Sequence, residues 1–189
     1  WFSLGIKDCG SILSPSSHGW PRHPDHPAQG PPHQRPIPMI THLLYLHGFR
    51  SSPQSYKARW FAEQLARHHG PASGRPIHFL APQLPPSPAA AIELIQALTA
   101  GWPAGQMAIV GSSLGGYYTS HWAERLGCRA VVLNPAIDPA RDLAAYIGEN
   151  KAWHSEDRFY FLPEYVDELQ AIRPPPLSQP DRYFAVISK

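Results

Sequence analysis

The stretch Gly111-Ser112-Ser113-Leu114-Gly115 sets a serine midway between two glycines, directly after the apolar run QMAIV at 106–110. A serine hydroxyl serves as a nucleophile when the backbone presents it on a sharp strand-to-helix turn, and Gly-x-Ser-x-Gly is the spacing such a turn uses. Glycine is needed at both flanks because the helix leaves so near the strand that a Cβ at Gly111 or Gly115 would collide. The chemistry this spacing serves is attack of Ser113 on an acyl carbon, with the backbone N–H of Leu114 offered to the oxyanion that forms. Phosphate binding fits less well, since there is no Gly-x-Gly-x-x-Gly and the residue after Gly116 is Tyr117 where a phosphate loop needs lysine. A merely flexible turn without chemistry is the plainer alternative.

An acyl-transfer site needs a second oxyanion donor and a base. The segment LHGFRSSP (46–53) follows an early apolar run, and Phe49 is its natural backbone donor. His47 in the same segment is better read as a brace for the loop than as the base. Beyond Ser113 the histidines are His121 and His154. His121 lies eight residues further along the same helix, about 12 Å up its axis and out of reach. His154, beside Glu156 and Asp157, is expected to be a surface histidine, with a role folded over the site as the alternative. Asp181 precedes its strand and so falls at the wrong end of a parallel sheet.

The elements that must hold these residues alternate along the chain. Apolar strands are expected at 41–47, 77–82, 106–110, 130–134 and 182–188. Between them, a first helix opens with Ser52 as N-cap and Pro53 at its first position, closes at Gly70, and carries the stripe Ala58, Phe61, Ala62, Leu65. A second opens at Ser87-Pro88 with the stripe Ala91, Leu94, Ile95, Leu98, and a third spans 114–126. After a helical PARDLAAYIG (139–148), a mixed region runs to about Pro180. Continuous apolar strands separated by amphipathic helices call for an α/β doubly wound, mostly parallel sheet covered on both faces. Ligands in such sheets sit at the carboxyl ends of the strands, where 47–52, 82–87, 111–116 and 134–140 all fall.

The 189 residues suit one domain, and 16 Lys+Arg against 14 Asp+Glu leave a net charge of +2 with no long run of either sign. That balance gives no support to a nucleic-acid groove or a polybasic membrane patch, and no apolar run is long enough to span a bilayer. Two cysteines, Cys9 and Cys128, make no disulfide framework, so a reducing, cytoplasmic setting is expected. Residues 1–38 hold 8 of the 23 prolines and four histidines without helical or strand period. They are expected to be a disordered leader, outside the native protein if Met39 is its start, and their histidine spacing does not suit a metal. The domain is expected over 39–189, with a cap-like region at about 135–180. Its six aromatics (Tyr146, Trp153, Phe159, Tyr160, Phe161, Tyr165) suit either an apolar acyl site or simple packing.

Five blocks, LLYLHGFRSSPQSYKA, APQLPPSPAAA, IVGSSLGGYY, VVLNPAIDP and YIGEN, occur in the order and spacing of the small bacterial YqiA-type esterases, and residues 39–189 resemble that branch of the α/β-hydrolase superfamily. The resemblance implies a cytoplasmic, cofactor-free and metal-free serine hydrolase of small acyl esters or thioesters, with Ser113 as nucleophile and Phe49 and Leu114 as oxyanion donors. It also implies a Gly-Asp-Glu turn and a Gly-x-His-x-Phe loop carrying the triad acid and histidine. Neither block occurs in this sequence, which ends at RYFAVISK. The expectation is therefore an α/β-hydrolase domain lacking its last strand and helix, a fragment with crippled or no activity as it stands. The competing readings are a non-catalytic remnant that binds an acyl ligand or a partner, and an acyltransferase that uses the same serine.

Overall fold

The computed structural model describes residues 39–69, 74–153 and 156–188, so the leader and His154 lie outside the described residues. Five parallel strands form the main sheet: β1 (His42–Leu46), β2 (His78–Leu80), β3 (Met107–Ser112), β4 (Arg129–Leu133) and β7 (Tyr183–Val186), in the spatial order β2-β1-β3-β4-β7. The chain moves outward from β1 to β2, then returns to pair β3 on β1's other side. That reversal makes the β1–β3 boundary the topological switch point, where loops diverge and leave a crevice at the carboxyl ends. Register brings Leu46 beside Gly111, and Ser112 beside Leu133, so both motif-bearing turns leave the sheet from adjacent strand ends.

Alternation along the strands divides the core. Leu44, Leu46, Met107 and Ile109 are fully buried toward one face, where they meet Ala91 and Ile95 of α2 (Pro88–Thr99) and Tyr117, Tyr118 and Trp122 of α3 (Leu114–Leu126). Tyr45 and Val110 point to the other, against Ala58 of α1 (Tyr56–His69) with Phe61 packed alongside. Each fully buried Leu or Ile contributes about 1.5–3 kcal/mol, so two covered faces hold the central strands firmly. The expected start signal of α2 is present: Ser87 Oγ accepts from the Ala90 N–H at 3.1 Å, and Pro88 occupies the first turn.

Helix α1 begins later than the Ser52-Pro53 pattern suggests. The Ser52 carbonyl and hydroxyl are engaged in a turn, accepting from the N–H groups of Ser55 (3.1 Å) and Gln54 (3.2 Å), and the capping oxygen is that of Ser55, 3.4 Å from the Ala58 N–H. The chain needs that extra turn to pass from the end of β1 to the face of the sheet. Ala62, expected in the buried stripe, is exposed. The region from 135 to 180 is more ordered than its mixed sequence suggests. It contains α4 (Pro139–Leu143), an antiparallel hairpin of β5 (Gly148–Lys151) and β6 (Arg158–Phe161), and α5 (Glu164–Ala171). Helix α5 is fastened to α2: Glu168 accepts from Ser87 Oγ at 2.7 Å and from the Ala89 N–H at 3.0 Å, placing a carboxylate at a helix N-terminus. Among the described residues no helix is long and apolar enough to cross a membrane.

Candidate active site

Ser113 stands between β3 and α3 with φ 53° and ψ −119°, a conformation that a residue with a Cβ rarely adopts. Its backbone is fixed from three sides. The Ser113 N–H donates to the Leu133 carbonyl at 3.0 Å, which carries the ladder one residue past β3. The Ser113 carbonyl accepts from Gly116 (2.9 Å) and from Ala136 (3.0 Å). Such over-determination is what lets a strained residue persist. The side chain itself is exposed at the carboxyl end of the sheet.

Close approach around this turn explains its glycines. A Cβ on Gly115 would fall on the Leu46 carbonyl, with the His47 carbonyl oxygen 2.7 Å away, and one on Gly111 would fall on the Gly115 carbonyl and Thr119 Oγ1. Gly48 completes the contact from the β1 side: a Cβ there would lie 3.1 Å from Ser113 Cβ and 3.6 Å from its Oγ. The loop after β1 is thus laid directly against the serine.

His47 is buried, only 5% exposed, and both ring nitrogens are engaged. The Leu84 N–H donates to Nε2 at 3.1 Å, and the Gln83 amide lies 3.3 Å from the same nitrogen. Nε2 is therefore unprotonated, and Nδ1 carries the hydrogen that it donates to the Gly48 carbonyl at 2.9 Å. Burial holds the imidazole below its ordinary range, against a smaller opposing pull from Gly48. This histidine braces the loop after β2 against the loop after β1. The bracing also sets a direction. The Gly48 carbonyl receives both His47 Nδ1–H and the Ser51 N–H (3.1 Å), and in a trans peptide the following N–H, that of Phe49, points the opposite way. Among the described residues neither the Phe49 nor the Leu114 N–H has a hydrogen-bond acceptor in the protein. Leu114 is the first residue of α3, where an N–H has no intrahelical partner.

A cavity of about 750 Å³ opens between Gly48 and Leu114 on one side and the hairpin on the other. Its apolar wall comprises Phe49, Leu84, Leu94, Leu114, Tyr118 and Phe159, and its polar rim includes Arg50, Gln54, Asp157 and Arg158. The Phe49 ring sits edge-on to Tyr146, Phe159 and Phe161 at 5.4–5.6 Å, which joins the loop after β1 to the region above the sheet. Among the described residues no histidine or carboxylate is hydrogen-bonded to Ser113 Oγ. His121 is buried on α3, and Asp181 lies in the turn that precedes β7. Cys128 is a buried thiol, pushed up to about 11 by its burial, and so has no thiolate character to compete with the serine.

Three features of the site carry no readable signal in the sequence. Arg50 and Asn134 adopt positive φ (60° and 44°) without being glycine, and Trp153 reaches across to Arg50 from the far side of the cavity.

Solved structures similar to this chain include Est1E from Butyrivibrio proteoclasticus, determined with ferulic acid bound (16% identity, 75% of this chain and 65% of that one, TM-score 0.50). Also similar are the alpha/beta hydrolase domain-containing protein 10 from mouse (14% identity, 70% and 61%, TM-score 0.49) and the metagenome-derived lipolytic enzymes LipS and LipT (19%, 72% and 66%, TM-score 0.49). This chain spans less than two thirds of the length of each. The likeness to Est1E shows a shared fold, that of the α/β-hydrolase type, consistent with the strand order and the switch-point crevice. The family comparison matches residues 42–189, from the first strand of the sheet through the last, and the chain belongs to the uncharacterised protein family UPF0227.

Proposed function

We propose that the chain is a serine hydrolase of small carboxylic esters or thioesters, working in the cytoplasm without metal or cofactor. Ser113 is its nucleophile and the N–H groups of Phe49 and Leu114 form its oxyanion hole. The observation that carries this reading is the strained backbone of Ser113, at φ 53° on a turn whose two flanking glycines have no room for a side chain. In the reaction Ser113 Oγ adds to the acyl carbon, the carbonyl oxygen takes the negative charge, and the alcohol or thiol leaves carrying the proton that the serine hydroxyl gives up as the acyl-serine forms. Water then releases the acid. Each well-placed backbone donor lowers the barrier by about 3–4 kcal/mol, because it meets charge that exists only in the transition state. The apolar wall of Leu84, Leu94 and Phe159 suits the acyl chain.

A second reading has its own observation. With no base hydrogen-bonded to Ser113 Oγ among the described residues, a fold that binds acyl ligands without turning them over is the competitor. For the hydrolase reading the same observation means slow turnover, so acylation is better sought with a reactive probe than through product release.

Incubation with an alkyl fluorophosphonate followed by peptide mapping separates the two. The expected result is one phosphonyl adduct, on Ser113, absent from Ser113→Ala. A folded chain that binds a short-chain ester yet acquires no adduct at Ser113 over many hours would favour the binding protein.

A further inference from the structure

Among the described residues the three non-glycine positions with positive φ are Arg50, Ser113 and Asn134, which follow β1, β3 and β4. All three therefore stand beyond the carboxyl ends of adjacent strands. Strain at Ser113 presents its hydroxyl. At Arg50 glycine would take the same φ of 60° without cost, so what the position gains by being arginine is its side chain.

That side chain reaches the hairpin. Arg50 Nε donates to the Lys151 carbonyl at 2.6 Å, and the guanidinium lies 4.3 Å from the centre of the Trp153 ring. From the opposite direction the Trp153 N–H donates to the Arg50 carbonyl at 2.7 Å. Both the backbone and the side chain of one strained residue are thus bound to the same short stretch of chain, the end of β5 and the residues just after it. One residue earlier, the Phe49 ring packs edge-on against Phe159 and Phe161 of β6. His47 fixes the Gly48–Phe49 peptide from one end, through the Gly48 carbonyl. The Phe49–Arg50 peptide has no such brace of its own among the described residues; the hairpin holds what flanks it, the Phe49 ring on one side and the Arg50 guanidinium and carbonyl on the other.

We infer that Arg50 is a positioning residue for the oxyanion hole: through Lys151 and Trp153 it clamps the β5–β6 hairpin onto the loop after β1 and so anchors the Phe49 end of the Gly48–Phe49 peptide, whose Gly48 end His47 holds. This inference rests on the hydrolase reading given above. It goes beyond that reading in assigning part of the rigidity of the donor to a contact above the sheet, outside the glycine-serine turn and in addition to the brace from His47. Arginine suits the task because its planar fork can donate from Nε while its face stacks on an indole, a combination that lysine cannot supply.

The test compares the full chain with Arg50→Gln, Arg50→Gly and Trp153→Ala. Its first readout is the ¹⁵N order parameter of the Phe49 amide, which does not depend on any reaction. It is expected near the rigid-backbone level of about 0.85 in the native chain and below about 0.6 in all three variants, while the amides of β1 stay rigid. The second is the rate of Ser113 phosphonylation, expected to fall roughly 10- to 100-fold in the variants, as a misplaced group at a reacting centre does. The double variant Arg50→Gln/Trp153→Ala should be no slower than Arg50→Gln alone, since both break one clamp. Arg50→Gly guards against misfolding as an explanation, because it removes the clamp and relieves the backbone at once. An unchanged Phe49 order parameter, or an unchanged phosphonylation rate in variants whose Phe49 is loosened, would overturn the inference. If the native chain itself acquires no adduct on Ser113, the hydrolase reading fails by that result, and the order parameter still decides whether Arg50 clamps the loop.

Discussion

Between β1 and β3 the sheet is covered on both faces, and backbone atoms come so close that Gly111 and Gly115 have no room for a Cβ. Two strands away, Phe184 of β7 and Ile187 just beyond it are 65% and 67% exposed. Both regions belong to one parallel ladder. The crevice is held by packing, which over-determines the backbone and allows the unusual φ of Ser113 to persist. The edge is held by polar side chains. Glu124 accepts from Tyr183 Oη (2.6 Å), from Arg182 (3.2 Å) and from the Ser178 N–H (3.0 Å), while Asn134 exchanges two hydrogen bonds with Ser188 (2.9 and 2.7 Å). A site that needs fixed geometry belongs in the first kind of environment, and the candidate catalytic atoms are found there.

The sharpest way to break this contrast is to add one carbon to the crevice. Gly115→Ala sets a methyl against the Leu46 and His47 carbonyls, which are backbone and cannot swing aside. The expected loss is about 3 kcal/mol, the upper end of the overpacking range, read as a lower urea midpoint. A Gly115→Ala protein that unfolds at the native midpoint would show that the two turns are not in contact.

At the edge the effects should be smaller and polar in origin. Tyr183→Phe removes a hydroxyl from a carboxylate whose side chain is only 5% exposed, and should cost about 1.5 kcal/mol by the same measurement. If the loss is below experimental error, the Glu124 cluster does not hold β7.

Acid should act on both regions. Burial holds His47 below its ordinary range, and burial with Arg125 nearby does the same for His121, whose Nδ1 is buried without a hydrogen-bond partner. In each case the unfolded chain binds the proton first, at a pKa near 6.5, so stability should be level above that pH and should fall as the pH drops below it. Glu124, held below the usual carboxylate range by Ser178 and Tyr183, adds a further loss in the same direction at lower pH. Urea midpoints at pH 8, 6.5 and 5 check the sign, and a midpoint that rises on acidification would refute it.

The smallest expected effect on stability is that of Phe184→Lys, within about 0.5 kcal/mol because the ring is mostly in solvent. Its visible consequence should be solubility, since a lysine on an exposed apolar edge discourages strand-to-strand association. Light scattering that is identical for the two proteins at high concentration would show that the β7 edge is not adhesive.

The same contrast governs what could be read in advance. Helix α3 is legible to the residue, because Ser113 opens it, Gly127 closes it in the left-handed conformation, and its packing follows from its sequence. The central strands β1 and β3 are legible as apolar runs, since burial on both faces leaves few polar interruptions. The start of α1 is not, because Ser52-Pro53 is as good a turn as a helix cap. The β5–β6 hairpin is hidden in GENK and RFYF, four residues each, too short for alternation to register. His47 is legible as a brace, but its partners Leu84 and Gln83 lie 37 and 36 residues away. Arg50 is the least legible of all, since nothing in arginine's type announces a left-handed backbone.

The most direct test of the account is a crystal structure of the chain phosphonylated at Ser113. The phosphonyl oxygen should lie 2.7–3.1 Å from the backbone nitrogens of both Phe49 and Leu114, the distance at which such donors stabilise an oxyanion. A phosphonyl oxygen turned to solvent, with those two N–H groups directed elsewhere, would contradict it.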